Sequence, residues 1–295
     1  MKPEFNVGRA LGFAFEVISA RPSDFILMSV WTVLYGAVFT VIQVQAIGPE
    51  LSAIMSGEAS ATPSSGSEMV DMLGRYFAQL LPFLAVGLII SVVFEAAWLR
   101  LFVRGESLGI FPFRLGRDEL MYALSGLLVI LTLVVAMVTG WMATMILAVL
   151  FALGGTIGAG IGVFLGFIIM VALIAVAATV ILPVPALSVL TGRVALLEGV
   201  RSARTIFWPL LASALVAVIV TFIANGLFSG LIAFTPFDQF GQMPDGSTAS
   251  AVSLFGYFAI VHLISLLPAS ILRGVASYAA LRIDEAQTPR TGAPS

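Results

Sequence analysis

Few side chains in this chain could do chemistry. There is no cysteine, which excludes thiolate catalysis, disulfides and cysteine metal sites. His262 is the one histidine, so a histidine metal site or a Ser-His-Asp triad has almost nothing to draw on. No Asp or Glu cluster has metal-ligand spacing. The sequence therefore calls for no catalytic residue, no metal and no cofactor. The polar groups of interest are those set inside apolar runs: Glu95, Asn225 and His262.

Glu95 sits in SVVFEAAWLRLF. A carboxylate at membrane depth is costly and marks a candidate functional site. It precedes Arg104 by nine residues, roughly 13 Å along a helix at about 1.5 Å per residue. Two readings are open: a structural ion pair with Arg100 or another loop arginine, or a proton- or substrate-coupling carboxylate. Asn225 lies ten residues before Thr235, and His262 lies eleven after Ala251. In an antiparallel hairpin they share a depth, so an interhelical hydrogen bond between them is expected.

Gly154, Gly158, Gly162 and Gly166 recur every four residues. On a helix, Gly158, Gly162 and Gly166 make a smooth stripe for close packing against a helix of this chain, of a second copy or of another membrane protein. The alternative is that these glycines form a turn. A P-loop is excluded because no Gly-Lys-Ser/Thr follows. Phe111 and Phe113 flank Pro112 beside Arg114 and Arg117, a pattern suited to a membrane interface or to an ordinary basic flank. Arg104, Arg114, Arg117, Arg201 and Arg204 are the candidate lipid-headgroup residues.

The elements that position these residues follow from composition. Over 295 residues, 60% are apolar and 10% charged, where a soluble domain carries about 25% charged. So few charges cannot cover a soluble surface, and a net charge of −2 leaves no footprint for nucleic acid. The expected solvent is lipid. A bilayer core needs about 20 apolar residues per helix. Such runs are Phe25–Ile47, Leu80–Val103, two within Leu120–Gly192, Phe207–Phe234 and Ala251–Leu272. Leu120–Gly192 holds 73 residues without a charge, and its turn falls at Gly140-Trp141 or Gly154-Gly155. Pro183 and Pro185 stop or kink the fourth run.

The expected fold is an all-α polytopic transmembrane bundle of six spans with short amphipathic interfacial helices. Of 14 basic residues, all but Arg75 fall on the side of the termini, so both termini are expected in the cytoplasm. The opposite loops are acidic, with Glu50, Glu58, Glu68 and Asp71, then Asp238 and Asp245. No cleavable leader is expected at the N-terminus. Residues 1–22 read as a cytoplasmic amphipathic interfacial helix, with Val7, Leu11, Ala14, Phe15 and Ile18 at helical spacing. Residues 23–282 form the six-span domain, and 283–295 a polar C-terminal tail. A second amphipathic element, with Val194, Leu197, Val200 and Ile206, precedes the fifth run. Ser19-Ala20-Arg21 and Ser202-Ala203-Arg204 each come before an apolar run, a weak internal repeat or a chance match.

The stretch TVILPVPALSVLTGRVALLEGVRSARTIFWPLLASALV (Thr179–Val216) resembles the membrane domain fused to some bacterial glycerophosphoryl diester phosphodiesterases, and related six-span inner-membrane proteins of Gram-negative bacteria. LRLFVRGESLGIFPFRLGRDEL (Leu99–Leu120) is similar to their basic loop after the second span. The resemblance implies the membrane fold and not the activity: the His-Arg-Gly type site of the catalytic domain has no counterpart, since Leu263 follows His262. The expected protein is a non-enzymatic integral protein of the inner membrane, an accessory or lipid-associated factor. Its partners are the bilayer and anionic lipid headgroups, with a second copy or another membrane protein available to the glycine stripe. The alternative is a small transporter or channel subunit with Glu95, Asn225 and His262 lining a path.

Overall fold

The computed structural model describes residues 4–56, 66–232, 234–235, 243 and 249–287. Among these there is no strand. Glu58, Asp238 and Asp245, and the tail beyond 287, lie outside the described residues. Among the described residues nine α-helices follow one another: α1 (Val7–Ala20), α2 (Pro22–Ser56), α3 (Gly66–Leu99), α4 (Arg117–Phe151), α5 (Gly155–Ile181), α6 (Val184–Thr191), α7 (Leu196–Ala203), α8 (Phe207–Ile232) and α9 (Ala251–Gln287). Among the described residues five stretches are long and apolar enough to cross a membrane: 22–48, 80–104, 117–191, 196–230 and 251–287. The third contains two helices, α4 and α5.

The helices outrun the apolar runs. α2 continues through Gly48 and Pro49 to Ser56, and α3 starts at Gly66, so helix extends into both flanks of the acidic stretch that carries Glu50 and Glu68. α9 runs unbroken past residue 282 and buries Ile283. Apolarity marks where a helix meets lipid; its backbone hydrogen bonds can continue into water.

α4 and α5 fold back on each other. The turn falls at Ala152–Gly155, where Gly155 takes φ 73°, a left-handed conformation that favours glycine. Gly140, the other expected turn, is inside α4, where a methyl would strike Met170 of α5. Gly158, Gly162 and Gly166 face α4: a methyl would meet the carbonyls of Phe151 and Leu147 and the Cα of Thr144 respectively. Lipid supplies no hydrophobic drive between helices, so contact rests on this close backbone approach.

Most of the packed core lies toward the arginine-rich end. Trp98, Leu101, Leu187, Val184, Val275 and Ile283 are fully buried there. α9 contributes to all four buried clusters, beside α1, α2, α3, α6 and α8 in turn. Elsewhere large apolar side chains face outward, such as Phe164, Ile168 and Phe222. That is the reverse of a soluble surface.

α1 is capped by Asn6, whose side chain accepts from Arg9 N–H at 3.0 Å. Its inner face is Ala10 and Ala14, and Gly274 of α9 comes close enough that a methyl would lie 3.0 Å from Ala14 N. Of the expected apolar stripe, Ala14 turns inward and Phe15 stays exposed. α5 ends at Leu182-Pro183, and α6 closes on Gly192 at φ 66°. Ser188 Oγ then accepts from Ala195 N–H at 3.1 Å, fixing the entry to α7. α7 is the expected second amphipathic element; it buries Gly199 and Ala203, while Leu197 stays exposed.

The glycine contacts make a direct test. Gly162→Leu and Gly166→Leu should each destabilise the α4–α5 hairpin by about 1–3 kcal/mol, the usual cost of overpacking. Gly160 has open space at its Cβ position, so Gly160→Leu should leave the thermal midpoint in detergent unchanged. Equal shifts at all three positions would refute the packing role.

Candidate functional site

The charged groups converge at the arginine-rich end. α3 ends in a π-turn, Arg100–Arg104, closed by Gly105 at φ 58°, whose N–H bonds to the Arg100 carbonyl. π-Turns are rare and concentrate at functional sites. Arg100 and Arg104, four positions apart, project toward the segment that follows and the first turn of α4.

Arg100 is 1% exposed. Its guanidinium pairs with Glu119, itself 3% exposed, and donates to the Pro112 carbonyl at 3.0 Å. Glu106 Oε2 lies 3.7 Å from its Nε. Arg104 grips Asp118 with two hydrogen bonds, at 2.9 and 3.0 Å. It also donates to Glu106 at 3.2 Å and to the Val189 carbonyl of α6. Arg114 reaches Glu106 at 2.7 Å and Asp118 at 3.7 Å. Asp118 and Glu119 stand in the first turn of α4, where the helix dipole favours anions.

Further into the apolar run, Glu95 meets Arg273 of α9. Arg273 Nε donates to Glu95 Oε2 at 2.8 Å, and its second nitrogen completes a fork on Oε1. The Arg273 guanidinium also lies 5.0 Å from the Trp98 ring centre, a cation–π contact. Trp98 Nε1 donates to Thr32 Oγ1 of α2 at 3.1 Å. One ion pair thus links α2, α3 and α9.

One expectation is corrected here. The partner of Glu95 is Arg273 and not Arg100 or a loop arginine. The helix crossing chooses that partner, and proximity in sequence does not reveal it. Arg100 and Glu119 are more deeply buried than Glu95.

The expected Asn225–His262 bond does not form. His262 Nε2 lies 3.3 Å from Thr40 Oγ1 of α2. The Thr40 hydroxyl donates to the Gly36 carbonyl at 2.8 Å, so its oxygen is the acceptor for His262. The imidazole presses on Gly36, where a methyl would come within 2.8 Å of the ring. Asn225 is exposed, and its backbone carbonyl accepts from Ser229. Equal depth was right for neither partner's choice: the face of α9 that carries His262 is turned to α2. Gly36 and Thr40 carry no signal of this role in their own residue types, and Arg273 reads from sequence only as a basic flank of the last apolar run.

Of the candidate headgroup arginines, Arg104 is committed to acids and a carbonyl within the protein. Arg114 is exposed but paired. Arg117, Arg201 and Arg204 are exposed and make no ion pair among the described residues. No group of three or more His, Asp or Glu that could hold a metal occurs among the described residues.

Two cavities lie apart from these ion pairs. An apolar groove of about 520 Å³ runs between α2 and α9, lined by Ile26, Val30, Leu34 and Leu263 among others. A polar pocket of about 340 Å³ is lined by Glu4, Asn6, Arg9, Tyr278 and Arg282. Glu95, Asn225 and His262 line neither.

No protein-family model, curated protein or solved structure matches this chain. Fold and site together define its class: an all-helical protein with five to six helices long and apolar enough for a multi-pass membrane protein.

The Arg100–Glu119 pair is buried enough to test energetically. Removing one partner of such a pair costs about 3–5 kcal/mol, while replacing both with apolar groups is near neutral. Glu119→Gln should therefore destabilise the protein strongly in detergent unfolding, and the Arg100→Met, Glu119→Leu double variant should recover most of the loss. Additive effects of the two substitutions would show that no coupled pair exists.

Proposed function

We propose that this chain is a non-enzymatic six-span protein of the inner membrane with both termini in the cytoplasm, acting as an accessory or lipid-associated factor. One observation carries the reading. The charges within the packed helices neutralise one another, while Arg117, Arg201 and Arg204 are left exposed at one end without an acidic partner. Basic side chains beside membrane helices favour the cytoplasmic side and attract anionic headgroups. The likeness of Thr179–Val216 and Leu99–Leu120 to phosphodiesterase-associated membrane domains supports the same architecture.

The transport alternative requires Glu95, Asn225 and His262 on one path. Glu95 is held by Arg273, His262 by Thr40, and Asn225 stands apart on the exposed side of α8. That separation favours the accessory reading.

The absence of native cysteine makes topology directly measurable. Single cysteines at Ser19 and Ser202 should react with an impermeant maleimide only after the cells are opened, and cysteines at Thr62 and Ser247 should react in intact cells. Labelling of position 202 from outside would overturn the orientation. Lipid analysis of a deletion strain should show a changed anionic-lipid profile. An unchanged profile with a lost solute flux would instead favour transport.

A further inference from the structure

Residues 105–116, between the π-turn and α4, form no helix. They do not simply bridge the helix ends. Leu108 N–H donates to Asp24 Oδ1 at 3.2 Å, and the Ile110 carbonyl accepts from Trp31 Nε1 at 3.1 Å. Asp24 to Trp31 is seven residues along α2, about 10 Å at roughly 1.5 Å per residue. The segment therefore climbs α2 into the level of its apolar run. There Phe113 packs on Phe94 of α3 at 4.3 Å between ring centres, and Phe111 meets Trp31 at 5.1 Å. The chain then descends through Pro112, whose carbonyl is held by Arg100, to Arg114 and α4.

Three large apolar side chains on this segment are mostly uncovered by protein. Ile110 is 83% exposed, Phe111 69% and Leu115 83%. In water that exposure would be unfavourable by about 25 cal/mol per Å². At the edge of a bilayer it is not. Irregular backbone is tolerated at that depth only where its polar groups are satisfied. Here Asp24, Trp31 and Arg100 satisfy three of them from the protein side, and Pro112 lacks an N–H. Arg117, exposed and without an ion pair among the described residues, and Arg114, exposed though paired with Glu106, stand at the base of the segment, where phosphates would lie.

We infer that residues 105–116 form a membrane-inserted lip whose partner is the anionic leaflet at the arginine-rich end: Ile110, Phe111 and Leu115 enter the acyl layer, and Arg114 and Arg117 engage headgroup phosphates. This rests on the reading of the long helices as membrane spans.

Single cysteines at Ile110 and Phe111 carry an environment-sensitive NBD fluorophore in the full chain, reconstituted into phosphatidylcholine vesicles with or without phosphatidylglycerol. Leu127, exposed on α4, and Ser107, exposed at the base of the lip, are the lipid and water controls. Labels at 110 and 111 should be blue-shifted and quenched by nitroxide lipid several-fold more than the label at 107, as at 127. Iodide quenching at 110 and 111 equal to that at 107, with 127 still quenched by nitroxide lipid, would overturn the lip alone. Iodide access at 127 as well would overturn the spanning reading and the lip with it. Phosphatidylglycerol should increase nitroxide quenching at 110, and the Arg114→Gln, Arg117→Gln double variant should abolish that increase. Equal quenching in both vesicle types would overturn the headgroup assignment.

Discussion

The structure depends on one constraint: a guanidinium drawn out of water at the end of an apolar helix must find a carboxylate. An unpaired buried ion costs several kcal/mol even after relaxation. Arg100 meets that constraint with Glu119 and the Pro112 carbonyl, and in doing so joins the end of α3, the residue 105–116 segment and the start of α4. Arg104 extends the junction to α6 through the Val189 carbonyl. Arg273 brings in α9, through Glu95 on α3. Each arginine thus determines which helix ends meet. The apolar clusters around Trp98, Leu187 and Val275 pack where those ends have been drawn together.

The α4–α5 hairpin follows a different rule. It carries no charge beyond Glu119 until its return at Ile181, so no ion pair can position it. Its specificity comes from backbone proximity at Gly140, Gly162 and Gly166. In lipid, apolar side chains gain little by turning inward, and small residues at the contact are the remaining means of choosing a neighbour. The result is one molecule with two kinds of cohesion, ionic and apolar at the arginine-rich end and steric along the hairpin.

How much of this was legible in the sequence follows from the same division. Helix type and the apolar runs are written in composition, because length and hydropathy are properties of a single segment. The glycine spacing also reads locally, although only the structure separates the turn at Gly155 from the mid-helix contact at Gly140. Pairings between segments were not legible. Depth can be counted along a helix, but the face a residue presents depends on how two helices cross. Asn225 and His262 share a depth by count, yet the face of α9 bearing His262 is turned to α2 and meets Thr40. Arg100 is the arginine nearest to Glu95 in sequence, yet Arg273 reaches it from a helix 178 residues away. The roles of Gly36 and Thr40 depend on their opposing neighbour, and nothing in their own residue types signals it.

The π-turn explains why neutrality and positive charge can coexist at one end. Widening the last turn of α3 places Arg100 and Arg104 beside the chain that returns to α4, where Glu106, Asp118 and Glu119 wait with Arg114. Three guanidinium groups then face three carboxylates, and the network carries no formal net charge. Its fields largely cancel within the protein and are further shortened by salt outside it. Arg117, Arg201 and Arg204 have no such partners, so they add positive charge at this end outside the neutral network. A change in surface lipid charge would then act on the rim and on the apolar segment above Arg114, while the buried pairs that hold the helix ends together stay indifferent to it.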